Sequence, residues 1–125
     1  MKARELFRQY GAGERDFILL SLRRSDLKGA DLQRANFSGS DLSDTDLSDA
    51  NLQGARLRRA VLRWANLAGA DLSGADLSVA DLKEADLHGT DLSYANLEGS
   101  NLTSDQLAQA AYLEGAILPD GTKQE

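Results

Sequence analysis

From Leu22 onward a large apolar residue returns at every fifth position without a gap, and this period is the strongest constraint on what the chain can fold into. The series runs Leu22, Leu27, Leu32, Phe37, Leu42, Leu47, Leu52, Leu57, Leu62, Leu67, Leu72, Leu77, Leu82, Leu87, Leu92, Leu97, Leu102 and Leu107. A small residue stands two places before most of these, as at Ala35, Ser40, Thr45, Ala50 and Ala55, and the residue between is usually Asp or Asn. The unit is therefore Ala-Asp/Asn-Leu-x-x. Hydrophobic residues make up 42% of the chain but aromatics only 6%, so the candidate core is almost wholly Leu and Ala.

A period of five suits neither regular element. On an α-helix successive leucines would advance by about 140° and leave no stripe to bury. On a flat strand an odd period sends them to opposite faces. A chain that turns a corner at each unit satisfies the pattern, because every central Leu and every small residue then points inward. Four corners close a square coil of twenty residues. Leucines twenty apart stack in columns, such as Leu22, Leu42, Leu62, Leu82 and Leu102. Each buried Leu contributes roughly 1.5 to 3 kcal/mol by transfer from water, before ordering entropy is subtracted. Such an interior is too narrow for a ligand, and Gly, Ser and Asp in the last two positions of a unit suit tight turns.

These tandem units, from about Leu20 to Gln109, resemble the pentapeptide-repeat family over roughly three quarters of the chain. The resemblance implies an all-β solenoid, a right-handed quadrilateral β-helix. The segment Ala12-Gly-Glu-Arg-Asp-Phe17 and the ending Gly115-Ala-Ile-Leu-Pro-Asp-Gly121 are similar to those of stand-alone cyanobacterial members.

Both ends leave the pattern. Ala3, Leu6, Phe7 and Tyr10 recur at helical spacing before Gly11 and Gly13, which predicts a helical cap within 1–14. Phe17 is in register with the centres, so the coil is expected over 15–109, beginning with a degenerate unit. Thr103 with Gln106 forms a capping-box pattern, predicting a short helix near 104–110 that overlaps the last units. Residues 111–121 read as repeat-like units shifted by one, forming a C-terminal cap, and 122–125 as a disordered tail. Capped ends predict a monomer.

Composition excludes several function classes. There is no Cys and a single His, so thiol chemistry and zinc sites lack ligands. No catalytic, metal-binding or cofactor-binding set emerges. A net charge of −6 argues against direct binding to nucleic acid or an anionic membrane. No apolar run is long enough to span a bilayer and the first ten residues lack that of a signal peptide, so a cytoplasmic protein is expected.

Function must then lie on the outward positions. Asp and Asn before each centre form four vertical columns, in which neutral residues relieve like-charge repulsion of about 0.9 kcal/mol per stacked pair. A calcium ladder would need converging carboxylates, and these point outward. His88 is read as a solvated side chain. The strongest departure is Ala55 to Trp64, where Arg56, Arg58, Arg59 and Arg63 occur without an acidic residue and Trp64 takes a turn position. Arg and Trp are enriched where few side chains carry an interface. Two readings stay open: a partner-binding surface, or arginines that neutralise the flanking acidic units with Trp64 lying on their stems. At the level of function the candidates are a non-catalytic scaffold presenting a protein-interaction surface and, from the family resemblance, an acidic DNA mimic that binds DNA gyrase or another DNA-binding protein. The chain departs from the gyrase-protecting members in being short, in lacking an evident C-terminal dimerising helix and in its Arg cluster.

Overall fold

The computed structural model describes all 125 residues. It contains two helices, α1 (Ala3–Gly11) and α2 (Ser104–Gln109), separated by a square coil with no long strand. Each side of the coil is held by a parallel bridge between residues twenty apart, from Asp16 with Asn36 to Asp76 with Asn96. We number the coils 15–34, 35–54, 55–74 and 75–94, with an incomplete fifth above them.

Two rows of hydrogen bonds join neighbouring coils. The Leu42 amide donates to the Val61 carbonyl at 2.7 Å, and the Val61 amide donates back to the Ser40 carbonyl at 2.9 Å. From Leu22 to Ser100 each unit's turn closes on itself, as where the Ala65 amide donates to the Leu62 carbonyl. All seventeen turns from Leu19 to Gly99 place their third residue at φ between 56° and 75°, the mark of a type II turn. Seven of these residues are Gly and ten are not.

Every corner leucine from Leu22 to Leu97 is at most 1% exposed, and the alanines two residues before them fill the space between columns. Phe37 stacks on Phe17 with ring centroids 5.7 Å apart, so the aromatic pair occupies the bottom of a column continued by Leu57, Leu77 and Leu97. Where the small residue carries a hydroxyl, it bonds the coil below: Ser40 Oγ donates to the Phe17 carbonyl, Thr45 Oγ1 to Leu22 and Thr90 Oγ1 to Leu67. Ser100 Oγ, at the start of the incomplete fifth coil, has no such partner.

The first coil is closed by α1, whose Leu6 is fully buried. Phe7, grouped with Leu6 by spacing, instead lies 44% exposed. Tyr10 ties the helix down by donating to the Gln33 carbonyl, while the Arg15 guanidinium lies 3.7 Å above its ring.

At the other end α2 replaces a side of the square. Leu107, expected in the core, is only partly buried, and Gln106 is buried in its place. A helical turn cannot keep the outward-inward alternation of the coil, so the inward position moves back by one residue. The Gln106 amide donates to the Leu82 and Ala85 carbonyls at 2.7 and 3.1 Å, while its oxygen accepts from the Thr103 amide. After α2 the chain rejoins the ladder one residue late, Asp91 pairing with Tyr112 and Asn96 with Ile117.

The tail over 122–125, expected to be disordered, folds back at Pro119–Gly121. Gln124 donates to the Ala116 carbonyl, and its own carbonyl accepts from Gly115. Lys123 pairs antiparallel with Ile117, covering an edge that would otherwise present unpaired backbone.

Candidate interaction surface

The outward Asp and Asn residues have a local role that outranks relief of repulsion. Asp41 Oδ1 accepts from both the Ser43 amide and the Ser43 hydroxyl, and Asp46 with Ser48, Asp71 with Ser73 and Asp76 with Ser78 repeat the arrangement. Asn36 does the same for Ser38. Asp and Asn alternate because both present the acceptor oxygen that fixes the turn. Hydrogen bonds from the Ser48 side chain and amide hold the Asp46 carboxyl below its ordinary value, and those from the His88 amide and ring do so for Asp86. For Asp71 and Asp81 partial burial opposes ionisation, but hydrogen bonds outweigh it, from Gln53 and Ser73 to the first and from Arg63 and Asn101 to the second.

His88 is exposed, with Nδ1 2.6 Å from Asp86 Oδ1. It borders a polar cleft of about 590 Å³ where α2 leaves the coil. No cluster of three or more His, Asp or Glu is arranged to hold a metal ion.

The arginine cluster occupies two adjacent sides of the third coil, meeting at the corner Ala60–Val61. Arg63 Nε bonds Asp81 of the coil above, so this side chain does neutralise an acidic neighbour. Arg58 donates to Ser78 Oγ at 2.8 Å. Besides Arg63 with Asp81, the ion pairs are Arg23 with Asp41 and His88 with Asp86, so Arg56, Arg58 and Arg59 have no carboxylate within 4.0 Å. Trp64 is 53% exposed, and no guanidinium stacks on its ring. The cluster therefore divides: Arg63, itself exposed, has one carboxylate partner, while Arg56, Arg58, Arg59 and the indole face solvent without one.

The backbone beneath them is the one that every turn of the coil adopts. Arg59 and Trp64 sit at φ 60° and 58°, as do the exposed Leu19 and Val79 at 56° and 59°. A side chain in this region costs roughly 1–2 kcal/mol, which the glycines at equivalent turns avoid.

The structure adds residues that the repeat pattern passed over. Ile18 and Leu19 lie on the same side as Arg58 and Arg59, two coils below, with Ser38 and Gly39 between. Together these six line a shallow apolar depression of about 280 Å³. Counting forty residues back from Arg58 and Arg59 would have found the pair.

Charge is also distributed along the axis. Residues 1–64 hold twelve Lys and Arg against nine Asp and Glu, a net +3, and residues 65–125 hold two against eleven, a net −9. Coil by coil the net charge is +2 over 15–34, −4 over 35–54, +3 over 55–74 and −4 over 75–94, so the acidic surface is broken at the third coil, whose Arg58 and Arg59 border the depression.

No helix is long and apolar enough to cross a membrane. No curated protein matches the sequence. A family model described as pentapeptide repeats matches residues 19–44, 45–83 and 80–104. Among solved structures, the pentapeptide repeat protein alr5209 from Nostoc PCC 7120 is 33% identical, with a TM-score of 0.79 covering 89% of this chain and 95% of that one. AT2G44920, a pentapeptide repeat protein from the Arabidopsis thaliana thylakoid lumen, is also 33% identical, with a TM-score of 0.70 over 82% of this chain and 71% of its own. QnrB1, a plasmid-mediated fluoroquinolone resistance protein, shares the fold at 21% identity, with a TM-score of 0.55 over 68% of this chain and 45% of its own. With the five-residue units, the square ladder and these matches in agreement, the chain belongs to the pentapeptide-repeat family and folds as its right-handed quadrilateral β-helix.

Proposed function

We propose that this protein is a non-catalytic, rigid scaffold whose third coil presents a protein-binding surface made of Arg56, Arg58, Arg59, Arg63 and Trp64. The observation that carries this reading is Trp64, half exposed beside arginines of which three have no carboxylate within 4.0 Å. A filled interior leaves only the outer wall for recognition, and a wall built from stacked coils holds its side chains in place with little ordering cost on binding. Affinity capture from a native lysate tests it. The double variant Trp64→Ala, Arg63→Ser should keep the melting profile within a few degrees and lose a partner that the parent chain retains. Retention of every partner by the variant would overturn the assignment.

A second reading is favoured by the net −9 of residues 65–125: an acidic rod that occupies the DNA site of gyrase or another DNA-binding protein. Inhibition of gyrase supercoiling by the intact chain, abolished by Asp→Asn changes at Asp71, Asp81 and Asp91, would support this reading over the first. Unchanged supercoiling would remove it.

A further inference from the structure

We propose that the side of the coil carrying Leu19, Gly39 and Arg59 binds an extended, acidic peptide segment with one large apolar side chain. This rests on the scaffold reading above and names the chemistry of its partner. The three residues form a column in the first, second and third coils, each one coil apart. Leu19, 77% exposed, leans over its neighbour: a Cβ built on Gly39 would lie 2.7 Å from Leu19 Cδ2. Leu19 thus fills the space a side chain at Gly39 would take, and a shallow apolar notch remains between Ile18 and Leu19 on one side and Arg58 and Arg59 on the other.

The rim of the notch sets the charge of the occupant. Arg59 has neither a carboxylate within 4.0 Å nor any side-chain hydrogen bond, and Arg58 spends one donor on Ser78. Those guanidinium groups can make bidentate bonds to carboxylates at no cost to existing pairs. The side of the coil that bears the notch, residues 16–20, 36–40 and 56–60, holds three Arg against one Asp, a net +2, which draws an acidic segment to it. A phosphate backbone would meet the same arginines but leave Leu19 and Ile18 facing a charged chain.

Spacing defines the segment further. Leu19 and Arg59 are two coils apart, about 9.6 Å at the usual interstrand distance of about 4.8 Å. Side chains of an extended segment return to one face every second residue, about 6.6 Å apart, and the long Arg59 side chain spans the remaining distance. The matching segment therefore carries Asp or Glu two positions from its apolar residue.

The probe is a synthetic ten-residue peptide with one Leu and Asp residues two positions to either side, titrated into the full ¹⁵N-labelled chain. Amide shifts confined to residues 18–19, 38–39 and 58–59 are expected, weakening as salt is raised. Arg59→Gly adopts the residue that turns at Gly39 and Gly99 already use, so its fold is secure; affinity should fall at least fivefold. Leu19→Ser and a peptide with Leu replaced by Ser should each cost a similar factor. Several results would overturn the proposal: no shifts up to millimolar peptide, shifts elsewhere, a Ser-substituted peptide or a DNA duplex binding as well as the Leu peptide, or a homodimer dissociated by Leu19→Ser. Should the peptide fail while Trp64→Ala, Arg63→Ser still loses its captured partner, the scaffold reading stands and only the partner chemistry falls.

Discussion

Gln106→Ala is the most informative single change to the architecture, because one side chain closes the upper end of the coil. Its amide bonds two buried carbonyls, those of Leu82 and Ala85, and its oxygen caps the Thr103 amide at the start of α2. Each carbonyl bond is worth about 0.5–1.5 kcal/mol net and the cap about 1 kcal/mol, so the loss sums to about 2–4 kcal/mol. For a chain of this size each kcal/mol moves the midpoint by about 4 °C, predicting a fall of about 8–16 °C. Stability in stacked coils is transmitted between neighbours, so the loss should be local before it is global. Hydrogen exchange should quicken first at Ala85, Gly89 and Thr90, with the Leu42 and Leu62 amides still protected. An uncovered coil edge also invites end-to-end pairing, visible as concentration-dependent light scattering. If Gln106→Ala melts within 3 °C of the parent and keeps its protection at the fourth coil, α2 is not the cap described here.

Leu62→Ala, in the middle of a fully buried column, should cost about 2–5 kcal/mol in denaturant unfolding, with the higher end expected because the coils above and below resist collapse. Arg63→Ser removes an exposed ion pair with Asp81 and should cost less than about 1 kcal/mol, a difference that shrinks further in high salt. Acid should destabilise the coil in a defined sense. The carboxyls of Asp46, Asp71, Asp81 and Asp86 titrate below their ordinary value when folded, so between the folded and unfolded values the unfolded chain holds more protons. Their stabilising contribution is present above the ordinary carboxylate range and is lost as pH falls through the lowered values. Asp46→Asn should fold normally, since Asn36 already serves a turn in that way, and should flatten part of the acid dependence in melts recorded from pH 6 to pH 2.

The legible part of this protein was whatever repeats. A period of five admits one economical solution, so the square coil, its leucine columns and the resumption of the pattern one residue late after α2 could all be read along the chain. The same reading named the Arg56–Trp64 cluster, since a departure stands out against a strict repeat. Three things needed the folded structure. Leu107 was in register yet lost its place to Gln106, because a helical turn points side chains by a different rule than a coil corner does. The tail beyond Gly121 carried no pattern, and only the open edge of the last coil gives its amide groups partners. Most relevant to function, counting by twenties puts Leu19, Gly39 and Arg59 in one column, but that the Leu19 side chain leans over Gly39 and leaves a depression beside Arg58 and Arg59 does not follow from the count. Local periodicity determines which side chains point inward, but winding through twenty residues decides which outward ones meet. That is why the core was written plainly in the sequence while the notch beside the arginines emerged only when the coils were stacked.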